Sequence, residues 1–341
     1  MSLQEYLIDH ICLDTRESLC ESINEIGPYV SGLSIDNTIT VKHLRRHANA
    51  RIRLGCYHEF RIPKKSGGFR TITAPDGQLK HIMTALAFIL TYIYHPTPTA
   101  MAFVPCRSIV DNARMHVNHN YVFNIDLCDF FSSITADMIE YSLIRQGINS
   151  MVARDISTIC CYPVSDGTHT RNILPQGAPT SPVLSNICAQ TLDQRLTGLA
   201  QRFHLTYTRY ADDITFSSDH NVYHDNGAFI QELRAIIAEC HFVINTKKTR
   251  LQKRGSRQEV TGLTVNERPN VSRRYIKNLR AMIHHIELDE HPSCHAINVA
   301  RGKLNFLRMV KGENDSTYIR LVIKLNLAVR GKHFASDTPT V

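Results

Sequence analysis

A chain of 341 residues, 43% hydrophobic and 21% charged, has an ordinary globular composition and the length for two or three compact units. No run approaches the ~18 consecutive apolar residues of a membrane span, and no basic-then-apolar leader opens the sequence. A membrane protein is therefore excluded and a cytoplasmic location is expected. Ten cysteines without a C-x-x-C pair argue against a zinc ribbon and predict reduced, mostly buried thiols. His291 and His295 have ligand spacing, but Pro292 breaks the helix that would align them.

The formal charge of +8 is localised. Between Lys247 and Arg280 eleven Lys and Arg face only Glu259 and Glu267, a net +9 that leaves the remainder at −1. A basic stripe confined to one segment is the footprint of a phosphate-backbone partner.

In chain order, residues 1–50 read as a helical N-terminal extension. Arg61 to Thr73 reads as a β-hairpin around Gly67-Gly68, and Leu79 to Tyr94 as an apolar helix. Tyr121 to Asp126 reads as a strand ending in a carboxylate. Ser181 and Pro182 read as the N-cap and first turn of one amphipathic helix, with Leu184, Ile187, Cys188, Leu192, Leu196 and Leu199 at helical spacing. Leu205–Arg209 and Ile214–Ser217 are β-prone and flank Tyr210-Ala211-Asp212-Asp213. Ile276, Leu279, Ile283 and Ile286 form an apolar stripe, with Arg273, Arg274, Lys277 and Arg280 mostly off it. The residues after about 334 read as a loose tail.

Two adjacent acids in a turn repel unless a cation joins them. With Asp126 from a neighbouring strand, Asp212 and Asp213 make a hard oxygen site suited to Mg²⁺, and two ions ~3.5–4 Å apart are the arrangement of polymerases and nucleases. A nuclease, or a non-catalytic RNA-binding scaffold, remains an alternative at this point.

Four boxes in order carry a more specific resemblance: Asn124-Ile125-Asp126-Leu127-Cys128-Asp129-Phe130-Phe131, Leu174-Pro175-Gln176-Gly177 with Ser181-Pro182, Tyr210-Ala211-Asp212-Asp213, and Asn245-Thr246-Lys247-Lys248-Thr249. The chain resembles reverse transcriptases. Asn112-Ala113-Arg114-Met115-His116 and Val260-Thr261-Gly262 resemble boxes of the bacterial retron branch, against a diversity-generating or abortive-infection type.

The resemblance implies an α+β right-hand polymerase, with residues 51–270 as fingers and palm (a small antiparallel sheet backed by helices) and 271–341 as a helical thumb and tail. Asp126, Asp212 and Asp213 would hold two Mg²⁺ ions, with the Leu127 carbonyl as a further ligand, and replacing any of the three by Asn should abolish synthesis. Lys248 would protonate the leaving pyrophosphate, although Lys247 is adjacent. Lys64 or Lys65 and Arg70 would clamp the triphosphate, Gln176 would touch the nucleotide, and Gly177 would let the backbone approach a base pair. Phe131 would be the steric gate against ribonucleotides, with Phe130 in the core because side chains alternate along a strand. Asn112 and His116 would contact the cognate RNA or support the part that does. Val260, Thr261 and Gly262 would open a primer-gripping hairpin, and Arg273, Arg274, Lys277 and Arg280 would track the duplex. The resemblance also implies deoxynucleotide substrates and a structured noncoding RNA template primed at a guanosine 2′-hydroxyl. Its product would be a branched RNA-linked DNA, with a role in antiphage defence beside a separate effector protein.

Overall fold

Helices and strands fall largely where apolar spacing puts them, and the computed structural model describes residues 11–31, 38–64, 67–165 and 170–330. Lys65 and the tail after 334 lie outside the described residues. In chain order the elements are α1 (Arg16–Val30), α2 (Val41–Ala48), α3 (Ala50–Leu54), β1 (Tyr57–Pro63), β2 (Phe69–Pro75), α4 (Gly77–Ile93), α5 (Ile109–Arg114), β3 (Tyr121–Asp126), α6 (Phe130–Ser133), α7 (Ala136–Arg145), α8 (Ser150–Cys160), β4 (Tyr162–Ser165) and β5 (Thr170–Ile173). They continue as α9 (Ser181–Cys188), α10 (Gln190–Arg202), β6 (Thr206–Tyr210), β7 (Asp213–Ser218), α11 (Ala228–Glu239), β8 (Arg250–Lys253), β9 (Glu259–Val260), β10 (Leu263–Thr264), α12 (Arg273–Leu288), α13 (Cys294–Lys311) and α14 (Ser316–Val329). The class is α+β. A four-stranded sheet has the order β6-β7-β3-β8, and β1–β2, β4–β5 and β9–β10 form two-stranded antiparallel ribbons.

Two units interleave along the chain. The first comprises residues 1–107, 125–214 and 222–249, and the second 108–124, 215–221 and 250–341. In the first, α4 buries Leu79, Ile82, Met83, Leu86, Ile89 and Leu90, a helical stripe that packs on α1 and α9. The β1–β2 hairpin turns at Gly67 (φ +90) and Gly68 (φ +78), with the Lys64 N–H donating to the Gly68 carbonyl at 2.9 Å. Both glycines occupy left-handed backbone that a side chain would strain.

The helix expected to start at Ser181 differs in two ways. Thr180 is the N-cap and Ser181 the first helical residue, because the Ser181 hydroxyl donates to the Pro175 carbonyl (2.6 Å) instead of capping. The single helix is also interrupted at Ala189, which separates α9 from α10. Phe130 is buried, as expected, but not by strand alternation. Asp129 adopts φ +45, ends the extended run, and Phe130 and Phe131 lie on a helical turn.

In the second unit, α12, α13 and α14 pack around Leu279, Ile283, Leu304, Leu307 and Leu325. Side-chain caps start all three: Ser272 accepts from the Tyr275 N–H, Ser293 from Ala296, and Asp315 from Thr317 and Tyr318. All ten cysteines are free thiols, but only Cys20, Cys160 and Cys161 are buried, so the expectation of mostly buried thiols is corrected. Cys12 and Cys106 are exposed, and the other five are partly covered. Among the described residues, no helix is long and apolar enough to cross a membrane.

Candidate active site

Three chain segments converge in the first unit on the end of β3. Ala211 turns the backbone with φ +57 between β6 and β7, and the Leu127 N–H donates to the Asp212 carbonyl at 3.0 Å. That bond sets the Ala211-Asp212 turn beside Asp126. On the opposite side the Cys128 N–H donates to the Val243 carbonyl (2.7 Å) and the Asn245 N–H to the Asp126 carbonyl (2.8 Å). The segment so anchored caps the Asp126 carboxylate: Asn245 Nδ2 donates to Oδ2 at 2.9 Å and Lys248 Nζ to Oδ1 at 2.8 Å. Asp126 is only 7% exposed, and these two donors satisfy its carboxyl oxygens there.

The electrostatics follow from this crowding. Burial pushes the Asp212 carboxyl above its ordinary range, and the charge of Asp126 pushes it further; Lys248 and Arg70 pull it back. The hydrogen bond to Asp126 raises the Lys248 ammonium, helped by the charges of Asp126, Asp212 and Asp213. Lys248 therefore stands over the carboxylate pair as a cation, although its side chain, like that of Lys247, is exposed.

The donor set fits a divalent ion. Two carboxylates that repel each other while sharing a buried corner are the chemistry Mg²⁺ binds, the remaining ligands being water and phosphate oxygens. Among the described residues no three His, Cys, Asp or Glu side chains are already gathered as a metal site. Asp213 opens β7 and is exposed, and its charge still reaches Lys248. Leu127 is buried next to Asp126.

The fingers residues join the same unit. The Thr73 N–H of β2 donates to the Gln176 carbonyl at 2.8 Å, which docks the Leu174–Gly177 loop on the hairpin. A Cβ at Gly177 would meet Ile72 Cγ2 at 2.7 Å and the Thr73 carbonyl oxygen at 3.0 Å. The close approach that Gly177 permits here is to β2 of its own chain. Arg70 pairs in register with Ile62, is exposed, and is near enough to lower Asp212. Lys64 is exposed at the hairpin turn. The Phe131 ring is half-buried, 5.5 Å from Phe130 and 6.3 Å from Phe103.

Two residues near the carboxylates had no role in the sequence reading. Asn245 holds Asp126 through both backbone and side chain; its membership of the lysine box was the available signal. Arg209, one residue before Tyr210, is wholly buried on Asp193 and donates to the Ala211 carbonyl at 3.1 Å. A charged residue at an inward strand position was its signal.

The second unit gathers the other candidates. Asn112 and His116 are 1% and 0% exposed, so contact with RNA is corrected and support remains. His116 Nδ1 lies 2.7 Å from Ser217 Oγ, and burial pushes the imidazole down to about 3. Val260 is fully buried, which removes it from any surface. Thr261 (φ +48) and Gly262 (φ +79) form the two-residue turn between β9 and β10, and Thr261 Oγ1 donates to the Ile109 carbonyl at 3.2 Å. The Val-Thr-Gly and Asn-Ala-x-x-His boxes therefore meet each other. Arg273, Arg274, Lys277 and Arg280 are all exposed on α12.

Comparison with known proteins follows the same lines. The family described as reverse transcriptase (RNA-dependent DNA polymerase) matches residues 62–267. The retron Mx65 reverse transcriptase of Myxococcus xanthus is 36% identical over 294 residues, spanning 82% of this chain and 67% of that protein. The retron Ec86 reverse transcriptase of Escherichia coli is 34% identical over 282 residues, 79% and 81% respectively. Among solved structures, telomerase from Candida albicans in complex with a fragment of telomeric RNA aligns with TM-score 0.45 at 11% identity, over 80% of this chain and 59% of that one.

Proposed function

The chain belongs to the reverse transcriptase family, within it to the retron enzymes, and is an RNA-directed DNA polymerase; from that membership we propose that its template is part of a structured noncoding RNA encoded beside it. Synthesis starts from the 2′-hydroxyl of a guanosine in that RNA and gives a branched RNA-linked single-stranded DNA. The reaction runs in the cytoplasm, and the product and enzyme act with a separate effector protein against phage.

The observation that carries the chemistry is the meeting of Asp126 and Asp212 under Lys248. Reverse transcriptases depend on divalent metal. In this reading Asp126 and Asp212 hold two Mg²⁺, which when bound polarise the phosphoryl oxygens and sharpen the attacking hydroxyl as a nucleophile. Asp213 assists from outside this pair, and the Leu127 carbonyl supplies a further oxygen. Lys248 keeps a proton for the departing pyrophosphate. Arg70 and Lys64, with Lys65, take the triphosphate, the Arg70 guanidinium as a bidentate donor and the ammonium groups as point charges. Gln176 positions the deoxynucleotide, and the Phe131 ring crowds a ribose 2′-hydroxyl. Thr261, Gly262 and the α12 cations grip template and primer through phosphate and shape.

The test is nucleic acid copurified from a host carrying the native locus, compared with Asp212→Asn and treated with RNase and with a debranching enzyme. A discrete DNA band shifted by both treatments and absent from the variant is expected. Primer extension on an added RNA template, with no copurified DNA, would replace the retron reading with another priming mode.

A further inference from the structure

A densely hydrogen-bonded group of the first unit lies outside the carboxylate site. Arg209 and Asp193 are both 0% exposed, and every nitrogen of the guanidinium is used. Nε donates to Asp193 Oδ1 at 2.7 Å and Nη2 to Asp193 Oδ2 at 2.7 Å, a bidentate pair. Nη2 also donates to Asn186 Oδ1 at 3.1 Å, and Nη1 donates to the Ala211 carbonyl at 3.1 Å. The supports are themselves fixed. The Tyr207 hydroxyl donates to Asp193 Oδ1 (2.8 Å), Asn186 Nδ2 donates to the Ala102 carbonyl (2.8 Å), and the Arg209 backbone pairs with Thr99 and Met101.

A neutral core would be expected to pack this space at lower desolvation cost, since a buried ion pair is weak as a stabiliser. Its distinctive product is directional: one donor aimed at one carbonyl. That carbonyl belongs to Ala211, held at φ +57, a left-handed conformation that is strained for a non-glycine residue. The next residue is Asp212.

We propose that Arg209 is a positioning residue for the metal-binding carboxylate Asp212: anchored on Asp193, it locks the Ala211 peptide and so fixes the direction in which Asp212 leaves the turn. This rests on the proposed metal role of Asp126 and Asp212. Lys in place of Arg209 retains the charge but lacks the planar fork, so it cannot reach Asp193, Asn186 and the Ala211 carbonyl together.

The test compares wild type, Arg209→Lys and the double variant Arg209→Met/Asp193→Leu, which replaces the pair by an apolar one of similar volume and so keeps a packed core. Three quantities are read: melting temperature, Mn²⁺ affinity of the free protein by electron paramagnetic resonance, and kcat and KM for a deoxynucleotide well below melting. The expected result for a folded variant is Mn²⁺ affinity weakened about tenfold and kcat lowered at least as much, with KM for primer–template unchanged; a purely structural pair would lower only the melting temperature. Either variant, folded and with wild-type Mn²⁺ affinity and kcat, overturns the inference. Asp212→Asn is the control: if it binds Mn²⁺ like wild type, the metal reading itself fails, and this outcome is separable from a failure of Arg209 alone.

Discussion

Lys248 Nζ stands 2.8 Å from Asp126 Oδ1, bridging two segments separated by more than a hundred residues. Both lysines are exposed, and it is Lys248 that reaches this carboxylate. Lys248→Met is expected to lower kcat by about 10²–10⁴-fold, the usual range for loss of a general acid. Lys247→Met should stay within a few-fold of wild type. Single-turnover incorporation, with primer–template affinity measured separately, checks both. Equal losses in the two variants would return the proton-donor role to an open question between them. The sign of the pH effect also follows. The ammonium is raised above its ordinary 10.5, so its share of stability is fully present below that value and is lost only as pH climbs through the higher folded value.

The carboxylates should separate into two classes. Asp126 and Asp212 share a buried corner, whereas Asp213 is exposed and completes no three-acid cluster. Asp126→Asn and Asp212→Asn are expected to abolish incorporation, and Asp213→Asn to leave a measurable residue of it. Mn²⁺ titration of each variant gives an independent reading. An Asp213→Asn protein as metal-blind as Asp212→Asn would show that the trio assembles when nucleotide binds.

Gly177 offers a sharper steric test. A Cβ there meets Ile72 Cγ2 at 2.7 Å and the Thr73 carbonyl at 3.0 Å, and φ is +131. The isoleucine can move; the carbonyl and the backbone angle cannot. Gly177→Ala must therefore displace the loop from β2 and stretch the Thr73-to-Gln176 bond. A displacement of ~1 Å at a substrate-positioning residue costs on the order of 10²-fold in kcat/KM. Adding Ile72→Ala, which removes the clashing Cγ2, should not restore activity, because the backbone conflict persists. Recovery in that double variant would assign the conflict to the isoleucine alone.

Much of this was legible in the sequence because it is local. The strand ending at Asp126, the Gly67-Gly68 hairpin and the turn at Ala211-Asp212 are each set by residues within a few positions, and the structure has them. What the sequence hid depends on partners far along the chain. Ser181 looks like a cap until Pro175 claims its hydroxyl. Asn112 and His116 look like a surface pair on a helix until Ser217, a hundred residues on, buries the histidine. That β2 packs against Gly177 depends on a hairpin a hundred residues earlier. Arg209 gave no motif of its own, and its role rests on Asp193, Asn186 and Ala211 meeting in one place.

Thr261 ties the two retron-type boxes together through its hydroxyl on the Ile109 carbonyl, although its own φ of +48 is unfavourable for a β-branched residue. Thr261→Val removes the hydrogen bond and keeps the shape. The expected cost is about 0.5–1.5 kcal/mol. Thr261→Gly relieves the backbone strain while losing the same bond, so it should lie closer to wild type in melting temperature. Urea unfolding of the three proteins orders them. A Thr261→Val protein as stable as wild type would mean that the bond contributes nothing net.

His116 gives the pH dependence a definite direction. It is fully buried, its Nδ1 meets Ser217 Oγ at 2.7 Å, and desolvation with the neighbouring His119 charge lowers its pKa from 6.5 to about 3. Between those values the unfolded chain binds a proton that the folded chain refuses. The contribution is therefore fully present above pH 6.5 and is lost as pH falls toward 3, at a limiting rate of about 1.4 kcal/mol per pH unit. His116→Gln keeps a partner for Ser217 but cannot take up the proton. Wild type should be the more stable of the two near pH 7.5, and its advantage should shrink or reverse by pH 4.5. Melting curves across that range decide it: parallel losses in the two proteins would place the acid sensitivity in the carboxylates, and leave His116 with packing alone.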